Sequence, residues 1–159
     1  VELTQDTNSS WQSKISHVPQ KIFLSNSSFL ENIAFGLDLN EIDRNRVELV
    51  SKKSQIHEFI MKLENRYLQS VGERGIRLSG GQIQRIGLAR ALYKNTEVII
   101  FDEATNSLDV ATEKLIMKEL YDLDKNLTVI MVAHRLNTLK DCDIIFEVKN
   151  KKVQQIKID

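Results

Sequence analysis

Apolar residues follow two rhythms along this chain. From about residue 25 to residue 92 they recur at helical spacing, and beyond that they gather into short runs. Phe29, Ile33 and Ala34 share one face of a segment that Ser27 or Ser28 can cap and Gly36 stops, which predicts a helix over Ser28 to Phe35. From Asn40 to Glu64 the pattern predicts two amphipathic helices. Ile42, Val47, Leu49 and Val50 line the first, and Ile56, Phe59, Ile60 and Leu63 the second. Residues 65–80 contain Gly72, Gly75 and Gly80 and read as loop. A helix is expected from Gly81 to Tyr93, with Ile83, Ile86, Leu88 and Leu92 among its buried positions.

Strand signals flank this region. Lys14 to Pro19 reads as a short strand ended by proline. Val98 to Phe101 is continuously apolar, the pattern of a parallel strand buried on both faces. A helix over Val110 to Leu123 follows, then a second buried strand, Thr128 to Ala133. Asp143 to Val148 and Val153 to Ile158 read as two more strands, joined by a hairpin turn over Lys149 to Lys152. Strand and helix alternating in this way indicate an α/β domain. The helical stretch, about Ser25 to Leu92, reads as an insertion carried by the sheet.

The 159 residues suffice for one domain with an apolar core. Lys+Arg and Asp+Glu are both 22, a balance that argues against a nucleic-acid partner bound through a basic face. Cys142 is the single cysteine, so no intrachain disulfide can form, and its place beside an apolar run fits a packed thiol. No apolar stretch approaches the roughly 20 residues of a membrane helix. Val1 to Ser10 is polar and has no signal-peptide character.

Several residues offer chemistry. Ser79, Gly80, Gly81 and Gln82 open a helix. Amides left unpaired there, together with the helix dipole, form an anion site suited to phosphate, although a serine cap after a glycine turn is common. Asp102 and Glu103 end an apolar strand, where ligands bind in α/β sheets. Asp102 could hold Mg²⁺ directly or through water, and Glu103 could activate a water; solvated loop carboxylates are the plainer alternative. His134 ends the next strand and could bond a γ-phosphate or simply a nearby carbonyl. Gln20 follows Val18-Pro19, and its amide could reach a metal or water. Ser107-Leu108-Asp109 comes after the carboxylate pair, with Asp109 placed to cap the next helix.

In this order and spacing the features resemble the nucleotide-binding domain of ABC transporters, over essentially the whole chain. Leu78-Ser79-Gly80-Gly81-Gln82 matches the family signature, and Gln84-Arg85-Ile86 through Ala89-Arg90-Ala91-Leu92 the helix behind it. Val98 to Glu103 is similar to the Walker B strand, with Glu103 in the catalytic position. Ser107-Leu108-Asp109 is similar to the D-loop, His134 to the switch histidine and Gln20 to the Q-loop glutamine. Ile22-Phe23-Leu24-Ser25 through Glu31-Asn32-Ile33, and Val71-Gly72-Glu73-Arg74-Gly75, resemble exporter segments that lie near the coupling helices of the membrane domain.

The resemblance implies a P-loop NTPase-like (RecA-like) sheet lacking its first strands, with an inserted helical subdomain. Residues 1–24 would form the Q-loop region, 25–92 the helical subdomain and 93–159 the Walker B to C-terminal part. It implies ATP and Mg²⁺ as ligands, and a cytoplasmic position at a membrane through a transmembrane domain. A second ATP-binding domain would pair head to tail, so that Ser79 to Gln82 act on its ATP in trans while Gln20, Asp102, Glu103 and His134 act in cis. The phosphate-loop motif Gly-x-x-x-x-Gly-Lys-Ser/Thr does not occur in these residues. The expectations are therefore a C-terminal part of an exporter ATPase with little turnover alone, and self-association through uncovered apolar surface. A catalytically dead module pairing with an intact subunit, and a non-transport ATPase with the same signature, are the alternatives.

Overall fold

The computed structural model describes residues 10–94, 96–104, 108–121, 127–133, 139–140 and 142–157. Strands β1 (Ile15–Val18), β2 (Val98–Asp102) and β3 (Thr128–Val132) form a parallel sheet in the order β1-β2-β3. The register sets Val18 opposite Phe101 and Asp102 opposite Val132. The C-terminal ends of β1 and β2 therefore lie side by side, and whatever follows each strand meets at one edge. Strands β4 (Ile145–Lys149) and β5 (Lys152–Ile156) form a separate antiparallel hairpin. Its turn residues, Asn150 and Lys151, both have positive φ, of 51° and 61°, as the twist of a two-residue hairpin turn requires.

Helix α1 (Phe29–Ile33) starts at a capping box in which Ser28 and Glu31 satisfy each other's backbone donors. Helices α2 (Arg44–Lys53) and α3 (His57–Met61) follow, then two short 3₁₀ turns, Arg66–Leu68 and Glu73–Gly75, within the stretch expected to be loop. Helix α4 (Gly80–Tyr93) crosses to the sheet, and α5 (Val110–Tyr121) follows β2.

Two apolar cores result. Leu24, Phe29, Ile33, Val47, Ile56 and Ile60 gather around Ile86 and Ala89 of α4. Val18, Ile99, Phe101, Ile116 and Leu120 gather around Leu88 and Ala91 of the same helix. Helix α4 is thus apolar on two sides because it lines both cores.

Three expectations need correction. The first long helix begins at Arg44 rather than near Asn40, because the Asp43 side chain accepts the Arg46 amide and caps it there; Ile42 is buried ahead of the helix and Leu49 is exposed. The second helix ends at Met61, short of Leu63. The strands are not buried on both faces. Ile99 and Phe101 are covered by the second core, but Ile130 and Val132 are 49% and 50% exposed, because the core packs on one face of the sheet.

Candidate functional site

Pro19 ends β1, and the next residue, Gln20, reaches across to the end of β2. Its Nε2 donates to Glu103 Oε2 at 2.8 Å. Glu103 sits in the left-handed region at φ 51°, a conformation that costs a non-glycine residue about 1 kcal/mol. Its amide donates to Val132 O at 3.0 Å, so the end of β3 holds it as well. Asp102, one residue earlier, is exposed. The sheet register thus brings Gln20, Asp102 and Glu103 together. Among the described residues, no three His, Cys, Asp or Glu side chains cluster to hold a metal. A Mg²⁺ ion here would therefore rest on one or two carboxylates completed by water and phosphate oxygens, which suits its coordination habits.

The N-terminus of α4 is built from Ser79, Gly80, Gly81 and Gln82. Ser79 Oγ accepts the Gln82 amide at 3.3 Å, and Gln82 Oε1 accepts the Ser79 amide at 2.8 Å. This capping box employs two donors; the Gly80 and Gly81 amides are among the first-turn donors that a helix leaves without intrahelical partners. Arg85, one turn on, donates to Gly81 O and Gln55 O and is half-buried. Burial lowers its pKa, and the nearby Asp109 carboxylate works in the opposite direction.

Gln84, also on α4, connects the two groups. Its Nε2 donates to Gln20 O at 2.7 Å, and the side chain is buried. Its Oε1 has no hydrogen-bond partner among the described residues, and Gln84 borders a small cavity lined by Val18, Leu88, Phe101, Ala104, Leu108 and Ile116. A buried acceptor of this kind costs about 1–3 kcal/mol. Nothing in the sequence pattern distinguishes Gln84 from other polar helix residues, so sequence reading did not single out its role.

Asp109 lies just ahead of α5, where Thr112 donates to it through both amide and hydroxyl, at 2.9 Å and 2.7 Å. The Thr112 hydroxyl, followed by its amide, holds the Asp109 carboxyl below its ordinary pKa. Ser107 and His134 lie outside the described residues.

The exporter-like segments are also structured. Asn32 is fully buried, accepts the Ser25 amide at 3.0 Å and donates to Ser28 O at 3.0 Å. Arg90 of α4 donates to Asn32 O and Phe23 O and stacks over the Phe35 ring. In the other segment Val71 is buried, and Gly75, at φ 71°, packs so tightly that an added Cβ would lie 2.9 Å from Leu24.

The sequence model of the ABC transporter family matches residues 1–106. The chain belongs to the ABC transporter family. It is 43% identical over 139 residues to an ATP-dependent lipid A-core flippase of Saccharophagus degradans, covering 87% of this chain and 23% of that protein. It is 41% identical over 139 residues to the multidrug resistance protein pgp-1 of Caenorhabditis elegans, covering 87% of this chain and 10% of that one. A solved structure of a bacterial Atm1-family ABC exporter with ATP bound superposes with a TM-score of 0.87 at 37% identity, over 94% of this chain and 26% of the exporter chain. This ABC transporter chain thus spans between 10% and 26% of the length of these relatives. The α/β fold read from the sequence holds. Among the described residues, no helix is long and apolar enough to cross a membrane.

Proposed function

We propose that this chain supplies the signature and carboxylate parts of an ATP-hydrolysing domain that powers an ABC exporter. The observation that carries the reading is the Gln20–Glu103 hydrogen bond at the strand ends, where α/β sheets bind ligands. In this reading Glu103 positions or deprotonates the attacking water, and Asp102, directly or through water, and the Gln20 amide oxygen would hold Mg²⁺. His134 bonds the γ-phosphate. When bound, ATP and Mg²⁺ supply the phosphoryl group and the charge that neutralises its oxygens. Ser79, Gly80, Gly81 and Gln82 face the ATP of a second domain, with Ser107 and Asp109 beside that interface. The division into residues 1–24, 25–92 and 93–159 belongs to the same reading. A transmembrane domain would meet the exporter-like segments at the cytoplasmic face, where Phe23 (61%) and Ile76 (82%), the residue after the second segment, are exposed.

Turnover by the complete ATPase carrying these residues tests the proposal. Glu103→Gln is expected to lower kcat by about 100-fold or more while ATP still binds. Turnover unchanged by that substitution overturns the reading. The 159 residues contain no Gly-x-x-x-x-Gly-Lys-Ser/Thr, so on their own they are expected not to bind Mg-ATP at millimolar concentration in calorimetry.

A further inference from the structure

Gln84 is an amide surrounded largely by hydrocarbon. It is 6% exposed and borders a cavity lined by Val18, Leu88, Phe101 and Ile116. One end of the amide is employed, Nε2 donating to Gln20 O at 2.7 Å, while Oε1 has no partner among the described residues. A leucine or methionine would fill this place without an unpaired oxygen, so packing alone does not favour an amide here. Its distinctive contribution is the donor it sends to Gln20.

That donor acts where the backbone needs it. Pro19 has no N–H, so the turn leaving β1 lacks one of the bonds that would otherwise fix it. A bond to the Gln20 carbonyl fixes the peptide plane that follows the Gln20 Cα and thereby the direction of its side chain. That side chain is the one whose Nε2 reaches Glu103 at 2.8 Å. Helix α4 holds the same segment a second time, further along. Gly87 lies so close to Ile22 that an added Cβ would sit 2.5 Å from Ile22 Cδ1. The N-terminus of this helix is the Ser79–Gln82 turn.

We infer that Gln84 is a positioning residue: through the Gln20 carbonyl it holds the Gln20 amide against Glu103, and so makes the carboxylate site follow the position of the signature helix. The inference rests on the proposed ATPase reading. A shift of α4 caused by a ligand at its N-terminus would then reach Glu103 through two hydrogen bonds.

The test is steady-state ATP turnover of the complete ATPase with Gln84→Leu, Gln84→Met, Gln20→Ala and Glu103→Gln, with thermal unfolding alongside. Gln84→Leu is expected to leave the melting temperature unchanged or raised. It should keep KM for ATP within about twofold and lower kcat about tenfold, the scale of a small misplacement near the reacting atoms. In a Gln20→Ala background it should lower kcat no further, because the side chain it positions is gone. An unchanged kcat overturns the inference, as does an equal further loss in the Gln20→Ala background. Failure of both Gln84 variants to fold also overturns it, because the residue is then structural. Turnover that survives Glu103→Gln removes the reading beneath; turnover that needs Glu103 but is indifferent to Gln84 overturns this inference alone.

Discussion

Glu31 shows how much a single side chain does at a helix start. Its carboxylate accepts from both the hydroxyl and the amide of Ser28, and these bonds, the hydroxyl first, hold its pKa below the ordinary value of 4.5. A carboxyl with a depressed folded-state pKa binds fewer protons folded than unfolded. Its stabilisation is present above the unfolded value and is lost as pH falls through the folded one. Glu31→Gln is therefore expected to flatten the loss of stability below pH 4.5, as read by urea unfolding across a pH series. Reading the sequence gives Ser27 or Ser28 as a cap, because serine before an apolar period signals a helix start, and the structure selects Ser28. It does not give the grip of Arg90 on Asn32 O, because the pair is 58 residues apart and has no local pattern. Gln20, Asp102 and Glu103 were legible as candidates from their strand ends. Their meeting was not, since it depends on the parallel register of β1 and β2.

Among the elements, α4 and the segment it packs on decide most of the site. Gly87 lies inside this helix, where alanine would ordinarily stabilise by about 1 kcal/mol. Here an added Cβ would lie 2.5 Å and 2.7 Å from two Ile22 carbons. Ile22 is β-branched and packs against both cores, so it has little freedom to yield. Gly87→Ala is expected to destabilise by about 1–3 kcal/mol despite its better propensity, as chemical denaturation would measure. A stabilised variant would show that Ile22 moves aside. Periodicity locates this helix well, because its apolar positions recur regularly. It misplaces the start of α2 because a side-chain cap, Asp43, competes with the apolar period that begins at Ile42.

For the molecule as a whole, apolar surface exceeds what the described core covers. Phe146, Val148 and Val153 of the hairpin are 61%, 75% and 67% exposed, and the open side of β3 adds Ile130 and Val132. In water such surface favours association. Sedimentation of the 159-residue chain is expected to show mass rising with concentration, and a Phe146→Ser, Val148→Thr pair to weaken that rise. A monomer at high concentration in the unsubstituted chain would count against it. Of the two runs that suggested strands buried on both sides, β2 keeps Ile99 and Phe101 buried, while β3 leaves Ile130 and Val132 half uncovered. A sequence reports what a strand prefers to touch, and the fold determines whether a neighbour is present to touch it.

Because α4 lends Ile86 and Ala89 to one core and Leu88 and Ala91 to the other, it stands as a party wall between the helical lobe and the sheet. Neither room can be pulled down while the other stays furnished. Melting the lobe strips the sheet of its lining, and melting the sheet leaves the lobe with one side open to water. Heat should therefore empty both rooms at once, and whatever braces the wall braces the whole chain.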